Sequence, residues 1–101
     1  MPTLQMNIRH SLSEEEAVKR IKNLLTDAKK EHGDKIQNLV ETWSGNQGLF
    51  SFKAQGFDIS GTITVNSSSV DLNGKIPFAV SLFKGKISRI IEDEANRLLR
   101  T

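Results

Sequence analysis

A chain of 101 residues can form one hydrophobic core, so a single α+β domain over residues 1–101 is expected. Hydrophobic and charged residues make up 37% and 26% of it, a globular balance that excludes a disordered chain and, with no long apolar run, a membrane-spanning helix. The net charge of +2 is spread evenly: residues 1–50 carry 7 basic and 7 acidic side chains, and the remainder 7 and 5, so no basic half points to nucleic acid. Cysteine is absent, which excludes disulfides and thiolate metal sites and fits a reducing compartment. The first residues lack a basic stretch followed by an apolar one, so no secretory signal is visible and a cytoplasmic location is expected.

Leu4, Met6, Ile8 and His10 alternate with Thr3, Gln5, Asn7 and Arg9, the period of a half-buried strand. A helix start follows. Ser13 with Glu16 forms a capping box, Leu12 and Ala17 occupy the staple positions, and Glu14–Glu16 complement the positive end of the dipole. Ala17, Ile21, Leu24, Leu25 and Ala28 form one apolar stripe, and Gly33 is suited to closing the helix. His32 sits in the last turn, where an imidazole favours the negative dipole end.

Ile36 to Trp43 predicts a second strand whose facing is ambiguous, because Val40 and Trp43 fall on opposite parities, as a bulge or a twist would produce. Ser44–Gly48 has turn chemistry, and Leu49–Ala54 predicts a third strand with Phe50, Phe52 and Ala54 on one side. After Gln55-Gly56, residues Phe57, Ile59, Gly61, Ile63 and Val65 alternate with polar ones in a fourth strand. Asn66–Ser68 turns into a fifth strand carrying Val70 and Leu72. Pro77 is suited to the first turn of a closing helix, with Val80, Phe83, Ile87, Ile90, Ile91 and Leu98 on one face and Ala95 at its edge. The order β-α-β-β-β-β-α predicts an antiparallel sheet with two helices packed on one face.

No nucleophile elbow, phosphate loop or metal-ligand spacing occurs, so no cofactor and no metal are expected. Gly61 interrupts the apolar parity of its strand and leaves space for a close approach or a ligand. With Phe50, Phe52, Ile59, Ile63, Leu72, Phe83 and Ile87 it could line a narrow apolar cavity, or the same residues could form a dry core. Glu94 lies on the apolar face of the last helix and His10 on the inward parity of the first strand. Were they to meet, they would form an acid–base pair; otherwise the helix frays or tilts there and leaves Glu94 at a rim beside a Lys or Arg, and His10 ends its strand by bonding to the helix start. Lys86, Arg89, Arg97 and Arg100 share the opposite helix face, either a solvated face or a surface for an anionic partner. An open sheet edge could support a homodimer.

The spacing of His10-Ser11-Leu12, Ala17, Trp43, Phe52, Gly56, Gly61, Val65, Ile76-Pro77, Lys86-Ile87 and Leu98-Leu99 resembles the small bacterial polyhydroxyalkanoic acid system family. The resemblance spans nearly the whole chain. It implies a reduced helix-grip architecture, with a curved sheet wrapped on a long C-terminal helix, and a link to polyhydroxyalkanoate storage granules. It supplies no catalytic residues. The expected role is therefore a non-enzymatic accessory domain that binds a protein partner or the granule surface. The alternatives are a carrier of a small apolar ligand and, third, an enzyme using Glu94 and His10.

Overall fold

A computed structural model describes residues 3–33, 36–54 and 56–100. Five strands form one antiparallel sheet: β1 (Thr3–Arg9), β2 (Gln37–Ser44), β3 (Gln47–Ala54), β4 (Phe57–Val65) and β5 (Ser69–Lys75), in the order β1-β5-β4-β3-β2. Strands β2 to β5 form a meander and β1 closes onto β5, so the sheet is open, with β1 and β2 at its edges. The helical elements are α1 (Glu14–Ile21), α2 (Leu24–His32), a 3-10 run (Phe78–Phe83) and α3 (Lys84–Leu99). The α+β architecture expected from the order of elements, and the helix-grip-like arrangement that the resemblance implies, are the ones observed.

The ladder registers place the inward-facing residues in rows. Met6 pairs with Leu72, Leu72 with Ile63, and Ile8 with Val70, which pairs with Val65. Ile63, Leu72, Val65 and Val70 are almost fully buried with Ile21, Leu24, Leu25 and Ile76. Burying each such side chain contributes about 1.5–3 kcal/mol.

Strand β2 does contain the bulge. Pairing shifts between Gln37↔Lys53 and Val40↔Ser51, and Asn38 absorbs the extra residue with φ 54°. The extra residue lets Ile36 and Leu39, which fall on opposite parities, both pack against the core; beyond it ordinary alternation turns Trp43 inward and leaves Val40 exposed. The β2–β3 turn is tighter than its composition suggested. Ser44 pairs with Gln47, leaving a two-residue connection with Gly45 at φ 59° in its first position. Asn46 then exchanges two 2.8 Å bonds with the backbone of Val65, fixing the hairpin to β4.

Two helix expectations need correction. The first helix is broken at Lys22-Asn23 rather than continuous. Ser13 caps α1 through a 3.2 Å bond from the Glu16 N–H, and α2 restarts at Leu24, so Ile21, Leu24, Leu25 and Ala28 are all buried despite the break. The closing α-helix begins at Lys84, not near Pro77. Pro77 instead precedes a 3-10 run, whose threefold period shifts the phase and leaves Phe83 59% exposed rather than on the buried face. Ile91, Glu94, Ala95 and Leu99 are the buried residues of α3. Arg20 on α1 donates to the carbonyls of Leu98 and Arg100 at 3.3 and 2.8 Å, placing a cation on the negative end of α3.

Trp43 occupies the space above Gly48, where a Cβ would come within 2.6 Å of the indole, and Lys22 lies 5.9 Å from the ring. The helix break and the β2–β3 hairpin therefore meet at one side chain. Among the described residues no helix is long and apolar enough to cross a membrane.

Candidate functional site: an apolar cleft and its exposed lip

An apolar cleft of about 250 Å³ opens where the helices part from one end of the sheet. Leu25 and Ala28 of α2 form one wall with Ile36. The β3–β4 hairpin supplies Phe52, Ala54, Phe57 and Ile59 as the floor. Ala79, Val80 and Phe83 of the 3-10 run, with Lys86, Ile87, Ile90 and Ile91 of α3, complete it. Lys86 is the single charged side chain on these walls among the described residues.

The lip of the cleft is unusually apolar. Phe78, Leu82 and Phe83 are 83%, 88% and 59% exposed, all on the one 3-10 run. Lys84, Lys86 and Arg89 follow in the next turns and are exposed. Pro77, with φ −62°, sets the entry to this segment, and Ser81 donates to the Phe78 carbonyl at 2.6 Å, bracing it.

Of the residues expected to line a cavity, Phe52, Ile59, Phe83 and Ile87 do line the cleft. Ile63 and Leu72 are packed in the core at 1% exposure. Gly61 leaves no void behind it: a Cβ there would meet the Asn73 carbonyl and would lie 2.9 Å from the Phe50 ring. Phe50, stacked 6.1 Å from Phe52, fills the space that the glycine vacates. Phe50 and Gly61 instead border a depression with Leu49, Thr62 and Asn73, away from the apolar cleft.

Glu94 and His10 are engaged with different partners. His10 Nε2 lies 3.0 Å from the Asn66 carbonyl, and its Nδ1 accepts from the Leu12 N–H at 3.1 Å. This ties the end of β1 to the β4–β5 turn and to the approach to α1. Asn66 also donates to Asp71 at 2.9 Å, and Asp71 accepts from Asn7. The helix neither frays nor leaves Glu94 at a rim: Glu94 is buried, 6% exposed, within α3, where it accepts from Arg97 at 2.8 Å, and Arg97 also donates to Asp27 on α2 at 3.2 Å. Glu94 pushes the Arg97 guanidinium above its ordinary range, first by the hydrogen bond and then by its charge. Arg97 is thus committed to internal pairs, whereas Lys86, Arg89 and Arg100 project outward. The side chain of His32 lies outside the described residues. Among those residues no group of three or more His, Asp or Glu could hold a metal ion.

Sequence reasoning missed most of the cleft. Its signal was the set of small residues Ala28, Ala54 and Ala79, which leave room between apolar elements. The exposed lip was signalled by the uncharged run Phe78–Phe83 after a proline.

Among solved structures, the fold is similar to PA4090 from Pseudomonas aeruginosa, with TM-score 0.58 and 13% identity over 100% of this chain and 88% of that one. It is also similar to a protein described as the Aha1 dimer from Colwellia psychrerythraea, with TM-score 0.55 and 12% identity over 99% and 98% of the two chains. At these identities the likeness is one of fold. No curated protein matches the chain. A family model described as "Putative polyhydroxyalkanoic acid system protein" matches residues 4–99. The chain belongs to the polyhydroxyalkanoic acid system protein family.

Proposed function

We propose that the chain is a non-enzymatic accessory domain of polyhydroxyalkanoate storage that docks on the granule surface in the cytoplasm. The observation that carries this reading is the exposure of Phe78, Leu82 and Phe83 on one braced 3-10 run beside Lys84, Lys86 and Arg89. Apolar side chains that project singly suit a fluid amphiphile layer, which needs no complementary pocket, and adjacent cations favour an anionic one. Family membership supplies the granule context.

A fluorescent fusion expressed in polymer-accumulating cells tests this directly. The wild type should ring the granules, and Phe78→Ser/Leu82→Ser should be diffuse at equal abundance. Diffuse wild-type signal, or granule rings that persist in the double variant, would overturn the reading.

A homodimer joined at a sheet edge is a second reading. Both β1 and β2 lie at open borders, and the Colwellia neighbour is described as a dimer. Light scattering of the purified chain gives the answer as a mass: twice that of the chain supports the dimer, and the monomer mass removes it.

A further inference from the structure

The cleft beneath the lip poses a packing question. Protein interiors rarely leave voids larger than a water molecule, yet here Ala28, Ala54 and Ala79 stand where larger apolar residues would close the space. Water gains little inside, because the walls offer it few polar partners. An alkyl group would instead lie against aromatic and branched aliphatic walls. An apolar cavity of about 150 Å³ holds a benzene molecule. In proportion, the roughly 250 Å³ here accommodates a chain of about ten carbons.

The polar end of such a ligand is specified by charge. Among the described residues Lys86 is the one ionic group on the walls, it stands at the exposed start of α3, and no carboxylate among them forms an ion pair with it. We infer that the cleft binds a single medium-chain carboxylate, with its alkyl chain against Phe52, Ile59 and Ile90 and its head group beside Lys86. This goes beyond granule docking: Phe83 and Lys86 border both surfaces, but Phe78 and Leu82, the most exposed apolar residues of the lip, are not on the cleft walls. The arrangement fits the usual plan of a small-molecule site, a mostly apolar concavity with one or a few polar groups fixing orientation.

The test is an amide chemical-shift titration of the full chain with sodium decanoate below its micelle concentration, and in parallel with 1-decanol. Saturable shifts at Leu25, Ile59, Ala79 and Ile90 are expected. Lys86→Gln should weaken decanoate binding about threefold, the scale of an exposed ion pair, and leave 1-decanol unchanged. Ala79→Phe fills the cleft from an exposed position, so circular dichroism should show the fold intact while both ligands lose binding. Non-saturating shifts, shifts centred elsewhere, or unimpaired binding by a folded Ala79→Phe chain would overturn the site. Equal losses of decanoate and 1-decanol in Lys86→Gln would overturn the carboxylate assignment. Phe78→Ser/Leu82→Ser should keep decanoate binding whatever it does to granule docking, so the two readings fail separately.

Discussion

Phe50 and Gly61 face each other across the β3–β4 ladder, and the phenyl ring occupies the volume that any larger residue at 61 would need. Gly61 is also paired with Gly74 on its other side, so the backbones of β4 and β5 meet there without intervening side chains. Gly61→Ala should destabilise the fold by about 1–3 kcal/mol, measured from urea midpoints. Phe50→Ala should fail to rescue it, because the carbonyl of Asn73 still blocks the new methyl group and a backbone atom cannot swing aside. Full rescue in the double variant would show that the ring alone sets the constraint.

The two carboxylates that Arg97 serves differ in burial: Glu94 is 7% exposed at its side chain and Asp27 26%. Removing the guanidinium leaves the more buried charge with the larger loss. Arg97→Ala should therefore lower stability more than Asp27→Ala, which should cost less than about 1 kcal/mol. Equal losses in chemical denaturation would mean that the α2–α3 tie, rather than the buried carboxylate, dominates.

Glu41 carries a pH signature. Its Oε1 is buried without a hydrogen-bond partner, and burial pushes the carboxyl above its ordinary value of 4.5, only partly offset by Trp43. The folded state thus holds the proton more tightly than the unfolded chain. The resulting stabilisation is present below the unfolded value and is lost as pH rises through the folded one. Glu41→Gln should be more stable than wild type at neutral pH by up to about 1 kcal/mol, since the side chain is only partly buried. The advantage should vanish near pH 3, where both side chains are neutral. Melting temperatures across that range would reveal it, and a pH-independent difference would count against the assignment.

Asn38 holds the β2 bulge with a positive φ of 54°, a conformation that asparagine tolerates and β-branched residues do not. Asn38→Val should cost about 1–2 kcal/mol, and Asn38→Gly should be close to neutral. The side chain is exposed, so packing contributes little to either change, and the difference between the two variants isolates the backbone term. Equal stabilities for the two would remove that explanation.

The sheet was legible in the sequence because its strands alternate cleanly. Leu4-Met6-Ile8, Phe50-Phe52 and Ile59-Ile63-Val65 each declare a buried face, and the structure orders them as an antiparallel meander with β1 added. The opposite parities of Val40 and Trp43 reflect only opposite faces of β2, and the bulge lies before both, at Asn38. The start of the last helix was not legible, because a proline and an apolar run suit a 3-10 turn as well as an α-helix. That ambiguity displaced Phe83 from the core in space, though not from the cleft. Gly61 pointed to empty space, but its occupant is a neighbouring ring, a relation that depends on strand register and cannot be read along one strand. Glu94 was recognisable as a misfit on an apolar face. Its partner Arg97 lies one turn away, while the link onward to Asp27 depends on how α2 and α3 are packed.

Trp43 is the one tryptophan in the chain. Wedged between Gly48 and the Lys22 end of α1, its indole emission reports on the joint where helix and hairpin meet, not on the lip or the cleft. An emission change on denaturation that ran ahead of the far-ultraviolet signal would therefore reveal this joint opening first, and the protein carries that optical probe without any added label.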